Sequence, residues 1–245
     1  MKHILFLIPF LGLHFNLSGQ SFKADELRNN GDLAGAAEIY KAVFQEEPGN
    51  QTNTYNLACV YALMYQQNDS AFYFLEKALI DDHSLWALAD PDLIALIEDP
   101  RWNTIRKQQM TKYQQKNGQL TAPDYTEKLL AIIMKDQSLD YQIDLAKRYF
   151  MKNGKIPHWY YPISFLKQQY GKDSFTKVQQ LIEKYGWPKY STVGKLAADA
   201  PLLVINHHES EKVRKQYLGQ IKNACLTGEG SCMEYAKIQD RILVN

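Results

Sequence analysis

Two stretches decide the fold: Tyr55-Asn56-Leu57-Ala58-Cys59-Val60-Tyr61-Ala62 and Ala71-Phe72-Tyr73-Phe74-Leu75-Glu76-Lys77-Ala78-Leu79. The polar segment Tyr65-Gln66-Gln67-Asn68-Asp69-Ser70 lies between them, so they read as helix, turn and helix. Leu57, Ala58 and Tyr61 fall on one face of the first helix, and Ala71, Leu75 and Ala78 on one face of the second. A lone hairpin cannot bury both of its faces, so the flanking chain has to supply neighbours.

The upstream segment has the same design. Ala24, Leu27 and Arg28 lie on one helix, and Ala36, Ala37, Tyr40 and Val43 on the next. Between them, Asn29-Asn30-Gly31-Asp32 is a turn in which Gly31 suits the left-handed conformation that follows a helix. Pro48-Gly49-Asn50 stops the second helix. Pro48 and Asp82 are 34 residues apart, and at that offset Ala24 answers Ala58 and Leu27 answers Tyr61. After one inserted residue, Ala36 answers Ala71 and Tyr40 answers Leu75. The period is that of tetratricopeptide repeats, and about 65 residues resemble that family. Two departures stand out: Thr54 replaces the usual large residue early in the first helix of the second repeat, and its turn glycine is missing. The resemblance implies a shallow concave groove for a peptide, with Arg28, Tyr55 and Asn56 as candidate groove residues. Cys59, beside Ala58 on the packed side, reads as a buried structural thiol, because no His or basic neighbour activates it.

Downstream, Leu85 to Leu93 and Ile94 to Trp102 look like the tail of secreted bacterial repeats of this type. Asp90 and Asp99 precede Pro91 and Pro100, where their carboxylates can accept from the open N–H groups of the helix that follows. Trp86 and Trp102 read as packing wedges, and Arg101 to Lys116 as a polar helix capping the stack.

At the start of the chain, Met1-Lys2-His3 is basic, Ile4 to Leu17 is apolar, and Ser18-Gly19 is small. About 14 apolar-rich residues fall short of the ~20 that cross a bilayer, so this reads as a secretory signal cut near Gly19. The expected location is periplasmic or secreted, in an oxidising compartment. With 28 basic and 27 acidic residues the net charge is +1, so neither nucleic acid nor an anionic membrane surface is suggested as a partner. The 16 tyrosines and 10 phenylalanines spread along the chain read as packing rings.

Beyond the linker Lys116-Asn117-Gly118-Gln119, a helix begins at Pro123-Asp124 with Leu129, Leu130, Ile132 and Ile133 on its apolar face. A second helix spans Asp140 to Met151, and Pro157 to Pro162 has little helical character. Asp173-Ser174 reads as the cap of a helix ending at Gly186-Trp187-Pro188. Ala197 to His208 reads as one helix, Glu209 to Leu218 as a polar one, Cys232 to Arg241 as the last, and Ile242-Leu243-Val244 as an extended tail.

Gly186-Trp187-Pro188, Ser191, Val193-Gly194, Ala197, Asp199-Ala200, Leu203, His207 and Asp240-Arg241-Ile242-Leu243-Val244 resemble the signature of a bacterial C-terminal domain of unknown function, and Asp136-Gln137 fits its early Asp-Gln pair. That domain is often secreted and sometimes joined to tetratricopeptide repeats. Its members usually continue into a polar tail, so the resemblance implies that this chain is shortened at Asn245.

The chemistry-bearing candidates in this half are Asp136, Asp199, His207 and Arg241, which could meet as a polar pocket. Adjacent His207 and His208 lack the i, i+4 spacing of metal ligands. Neither a Gly-rich phosphate loop, a serine-nucleophile elbow nor a paired-cysteine zinc spacing occurs, so no cofactor or metal is expected. Cys225 and Cys232 flank a flexible six-residue loop and are expected to form a disulfide.

These readings predict an all-α chain: a signal peptide over 1–19, a tetratricopeptide-like stack over 20–116 and a helical C-terminal domain over 123–245. The expected function is an exported interaction protein that takes a peptide or partner protein in the repeat groove. Nucleic-acid binding and membrane insertion after signal removal are not expected. The alternative is a hydrolase-like enzyme using the C-terminal pocket.

Overall fold

The first four helices are α1 (Leu17–Asn29), α2 (Leu33–Glu46), α3 (Gln51–Leu63) and α4 (Asn68–Ala78), each packed on the next. They belong to a computed structural model that describes residues 17–243, so the expected signal peptide lies almost wholly outside the described residues. Among the described residues every regular element is a helix, as the periodicity of the sequence requires.

Capping sets the ends of these helices. Asp32 accepts from the N–H of Gly35 at 2.8 Å to start α2, and Asn50 accepts from the N–H of Asn53 at 3.0 Å to start α3. Gly31, at φ 89°, makes the left-handed turn between α1 and α2. Ala24, Ala36, Tyr40, Leu57, Ala58, Ala71 and Leu75 are fully buried where the helices meet. Phe74 stacks on Tyr61 at 5.7 Å and meets Phe44 edge-on at 5.1 Å, tying α4 to α3 and α2.

Two short 3-10 helices follow, Trp86–Leu88 and Pro91–Leu96, then α5 (Arg101–Asn117). Both expected aspartate caps form: Asp90 accepts from the N–H of Asp92 at 3.0 Å and Asp99 from that of Arg101 at 2.9 Å. Buried Gln109 of α5 donates to Asp82 Oδ2 at 3.1 Å and to the Ser84 carbonyl at 3.3 Å, so α5 satisfies the polar end of the preceding segment. Trp102 is buried as expected, but Trp86 is half-exposed at a cleft rim rather than wedged into the core.

α6 (Pro123–Gln137) joins the two halves. Its Tyr125, Leu129, Leu130, Ile133 and Met134 belong to one hydrophobic core that runs from Ala24 to Ala200. The linker at 116–119 therefore separates two sequence regions that share this core.

The second half continues with α7 (Asp140–Asn153), α8 (Tyr160–Tyr185), α9 (Tyr190–Val193), α10 (Lys195–Ala198), α11 (Ala200–His207), α12 (Glu211–Leu226) and α13 (Cys232–Leu243). Four expectations fail here. Asp173-Ser174 starts no helix, because α8 runs 26 residues straight through it. α8 starts at Tyr160, so the stretch 157–162, expected to have little helical character, is helical from Tyr160 on; Pro162 is tolerated in the first turn, where its missing N–H has no partner to lose. The expected helix 197–208 breaks at Asp199, since Pro201 cannot donate back to the turn before it. Ile242 and Leu243 complete α13 rather than forming an extended tail. Between α9 and α10, Gly194 has φ 80°, and a Cβ there would lie 2.8 Å from the Tyr113 hydroxyl. Only glycine fits this approach to α5. Cys225 and Cys232 form the expected disulfide between α12 and α13, with Cα atoms 4.7 Å apart.

Candidate functional sites

The first cleft, about 600 Å³, opens beside α1 and α3, with the Pro91–Leu96 helix and the α6–α7 turn forming its other walls. Arg28, Tyr55 and Asn56, the three groove candidates, all line it, together with Asp25, Thr52, Asp82, Asp90, Asp92 and Asp140. The α3 helix projects Tyr55, Asn56 and Cys59 to one side. The caps at Asp90 and Pro91 bring two carboxylates up against them.

These groups form one network. The Tyr55 hydroxyl donates to Asp90 Oδ2 at 2.8 Å, and Cys59 Sγ lies 3.9 Å from the same oxygen. Arg28 pairs with Asp92, lies over the Tyr141 ring at 5.3 Å, and accepts at its carbonyl from the Tyr141 hydroxyl at 2.8 Å. The Tyr40 hydroxyl donates to Asp25. Burial pushes the Tyr55 hydroxyl and the Cys59 thiol well up, and the charge of Asp90 adds to both. Burial also raises the Asp92 carboxyl, with Arg28 pulling the other way. Cys59 is thus a protonated, buried thiol, in keeping with its expected structural role.

Ligand atoms of Cys59, Asp90 and Asp92 lie within 4.8 Å of one another. A cation there would compete with the Arg28 guanidinium for Asp92 and would need the thiolate that burial opposes. The residues fit a hydrogen-bonded ion pair better than a metal centre. The sequence reading took Asp90 only as a helix cap and gave Asp92 no role. The separation of Arg28 from Asp92, 64 residues, is why the pair was not legible.

The second cleft, about 540 Å³, lies among α6, α7, α8 and the end of α11. It brings together Asp136, His207 and Arg241, three of the four proposed chemical residues, with Asp140, Asp144, Lys147, Lys167 and Glu209. His207 Nδ1 is 3.1 Å from Asp136 Oδ2; the carboxylate side chain is 2% exposed and the imidazole 43%. Lys167 bridges to Asp140 at 2.6 Å and donates to the Asp136 carbonyl. Arg241 donates to the carbonyl of Asn206, next to His207.

Asp199 does not join them. Its carboxylate accepts from the Tyr190 hydroxyl at 3.2 Å, and burial followed by the charge of Glu234 raises it. Burial and Asp199 together push the Tyr190 hydroxyl up to about 12. Asp199 is the N-cap residue of α11, about 12 Å along the axis and about 80° round from His207, so it does not line the cleft that His207 faces. Lys167 and Asp140 were missed because nothing in their local sequence sets them apart from other surface charges.

Comparison with protein-family models, with curated proteins and with solved structures finds no match for this chain.

Proposed function

We propose that the protein is an exported bacterial scaffold whose N-terminal helical hairpins act as a short tetratricopeptide-like stack and hold a peptide, or an extended segment of a partner protein, in the first cleft. One observation carries this reading: Arg28, Tyr55 and Asn56, from two different helices, line a single open cleft of about 600 Å³. The Asn56 amide offers both a donor and an acceptor, the pair a peptide backbone presents. Five aspartates, Asp25, Asp82, Asp90, Asp92 and Asp140, against Arg28 make the lining negative, which complements a segment bearing Lys or Arg. Export rests on the N-terminal signal pattern. It is compatible with the Cys225–Cys232 pair and with the absence, among the described residues, of any helix long and apolar enough to cross a membrane.

A second reading, a hydrolase-like activity, is favoured by one specific observation: the buried Asp136 bonded to the open His207 ring. In that reading Asp136 fixes the Nδ1–H tautomer and His207 Nε2 takes a proton from an attacking water. The cations of Arg241 and Lys167 would face developing negative charge.

The test separates the two. Peptides selected on the full chain from a random library should bind Asn56→Ala at least about tenfold more weakly and His207→Ala unchanged, tenfold being the loss of roughly one good polar contact. Equal binding to wild type and Asn56→Ala, with loss in His207→Ala, would reject the groove reading and favour the second cleft.

A further inference from the structure

Residues 147–173 form the far part of the α7–α8 hairpin, and of these only Pro157 is buried. The base of the hairpin is anchored: Tyr141 bonds to Arg28, Ala146 is buried, and the later part of α8 packs on α6 and α11. The tip is different. Phe150 is 50% exposed, Met151 84%, Tyr161 59% and Phe165 64%, with Ile156 and Trp159 also exposed. Tyr161 and Phe165 are one turn apart on α8, so they share a face. So many large apolar side chains open to water in one short hairpin mark a docking surface rather than scattered exposure.

The charge around this tip says what it docks on. Residues 145–172 contain Lys147, Arg148, Lys152, Lys155, Lys167 and Lys172 and no Asp or Glu, although the whole chain carries only +1. Lys147 and Lys167 bridge to Asp144 and Asp140 at the base. Among the described residues, no carboxylate lies within ion-pair distance of Arg148, Lys152 or Lys155, the cations nearest the exposed Phe150, Met151 and Ile156. Aromatic rings with a polar edge (Trp159 and Tyr161), aliphatic side chains and flanking cations form the set that settles at the headgroup level of an anionic bilayer. Bases would stack on the rings but would leave Met151 and Ile156 uncovered.

We infer that the α7–α8 tip is a peripheral docking site for an anionic lipid surface, with Phe150, Met151, Ile156, Trp159 and Phe165 entering the interface and Arg148, Lys152 and Lys155 meeting the headgroups. No segment crosses the bilayer in this arrangement. None of these eight residues lines either cleft, so the tip holds the scaffold against a membrane while the first cleft stays open.

The test is co-sedimentation of the full chain with vesicles of phosphatidylcholine alone and with vesicles containing about one-third phosphatidylglycerol, at low salt. The chain should pellet with the anionic vesicles at least about tenfold more strongly than with the neutral ones, and added salt should weaken this. Two variants carry the same N-terminus and differ only at the exposed tip, so both should fold: Trp159→Ser with Phe165→Ser, and Lys152→Glu with Lys155→Glu. Each should lose about tenfold or more of the partitioning. Equal pelleting of wild type and both variants would overturn the inference, as would failure of the wild type to pellet. Light scattering that shows a dimer abolished by the serine variant, with no vesicle binding by wild type, would reassign the patch to contact between two copies of the chain.

Discussion

His207 Nδ1 sits 3.1 Å from Oδ2 of Asp136, so a carboxylate almost wholly withdrawn from water is bonded to an imidazole that remains open to a cleft. His207→Ala takes that partner away and leaves the acceptor buried. The expected loss is about 1–3 kcal/mol in urea unfolding, the usual cost of stranding a buried polar group. Asp136→Asn added to His207→Ala should recover much of it, because the charge is then gone. A single His207→Ala variant as stable as wild type would show that the pair contributes nothing to the fold.

Arg28 and Asp92 are linked in the same way across the first cleft. With side chains 24% and 14% exposed, they form a mostly buried pair. Arg28→Met should cost about 2–4 kcal/mol, because it leaves Asp92 charged and unpaired, while Arg28→Met with Asp92→Asn should cost much less. A double-mutant cycle read by chemical denaturation measures this coupling directly. Strict additivity of the two single changes would contradict the pairing.

Asp199 has a defined pH signature. Burial raises its carboxyl pKa in the folded state, so the native protein binds a proton there more readily than the unfolded chain does. The charged form is therefore a burden. Its contribution to stability is best below the unfolded carboxylate pKa and is lost as pH rises through the folded one. Asp199→Asn, which keeps an acceptor for the Tyr190 hydroxyl, should be more stable than wild type at pH 7. The gap should close as pH falls into the acid range. Thermal melts of both proteins across that range check this, and a gap that widens on acidification would reverse the sign.

The Cys225–Cys232 bridge closes a short loop between α12 and α13. Denatured but unreduced protein should titrate one thiol, that of Cys59, and reduced protein three. Replacing both bridged cysteines with serine should cost about 2.5 kcal/mol by the chain-entropy estimate. Three reactive thiols without reductant would show that the pair does not oxidise.

The first four helices were legible because their signals are local: alanines at helical spacing, a glycine turn, and Asp32 and Asn50 placed for capping. The disulfide was legible because it too is local. What failed were boundaries where two local signals compete. Asp173-Ser174 has the side chains of a cap, yet Ser174 and Val178 are buried, and packing on α6 and α11 keeps α8 helical through them. At 199–201 the proline was passed over because the apolar spacing on either side continues as if unbroken. The sites were half-legible. Arg28, Tyr55 and Asn56, grouped from the repeat pattern, line one cleft, but their acidic neighbours come from a segment read only for its caps. Asp136, His207 and Arg241, grouped from polar residues scattered over about a hundred positions, line one cleft. Asp199 is eight residues from His207 on the same helix, and that spacing puts it about two turns away and about 80° round, outside the pocket.

Hydrogen exchange tests the central proposal most directly. Measured on the full chain with and without a saturating selected peptide, it should show added protection in α1, α3 and the Pro91–Leu96 helix, with α8 and α11 unchanged. Protection confined to the segments around Asp136 and His207, or no protection in α1 and α3, would contradict peptide binding in the first cleft.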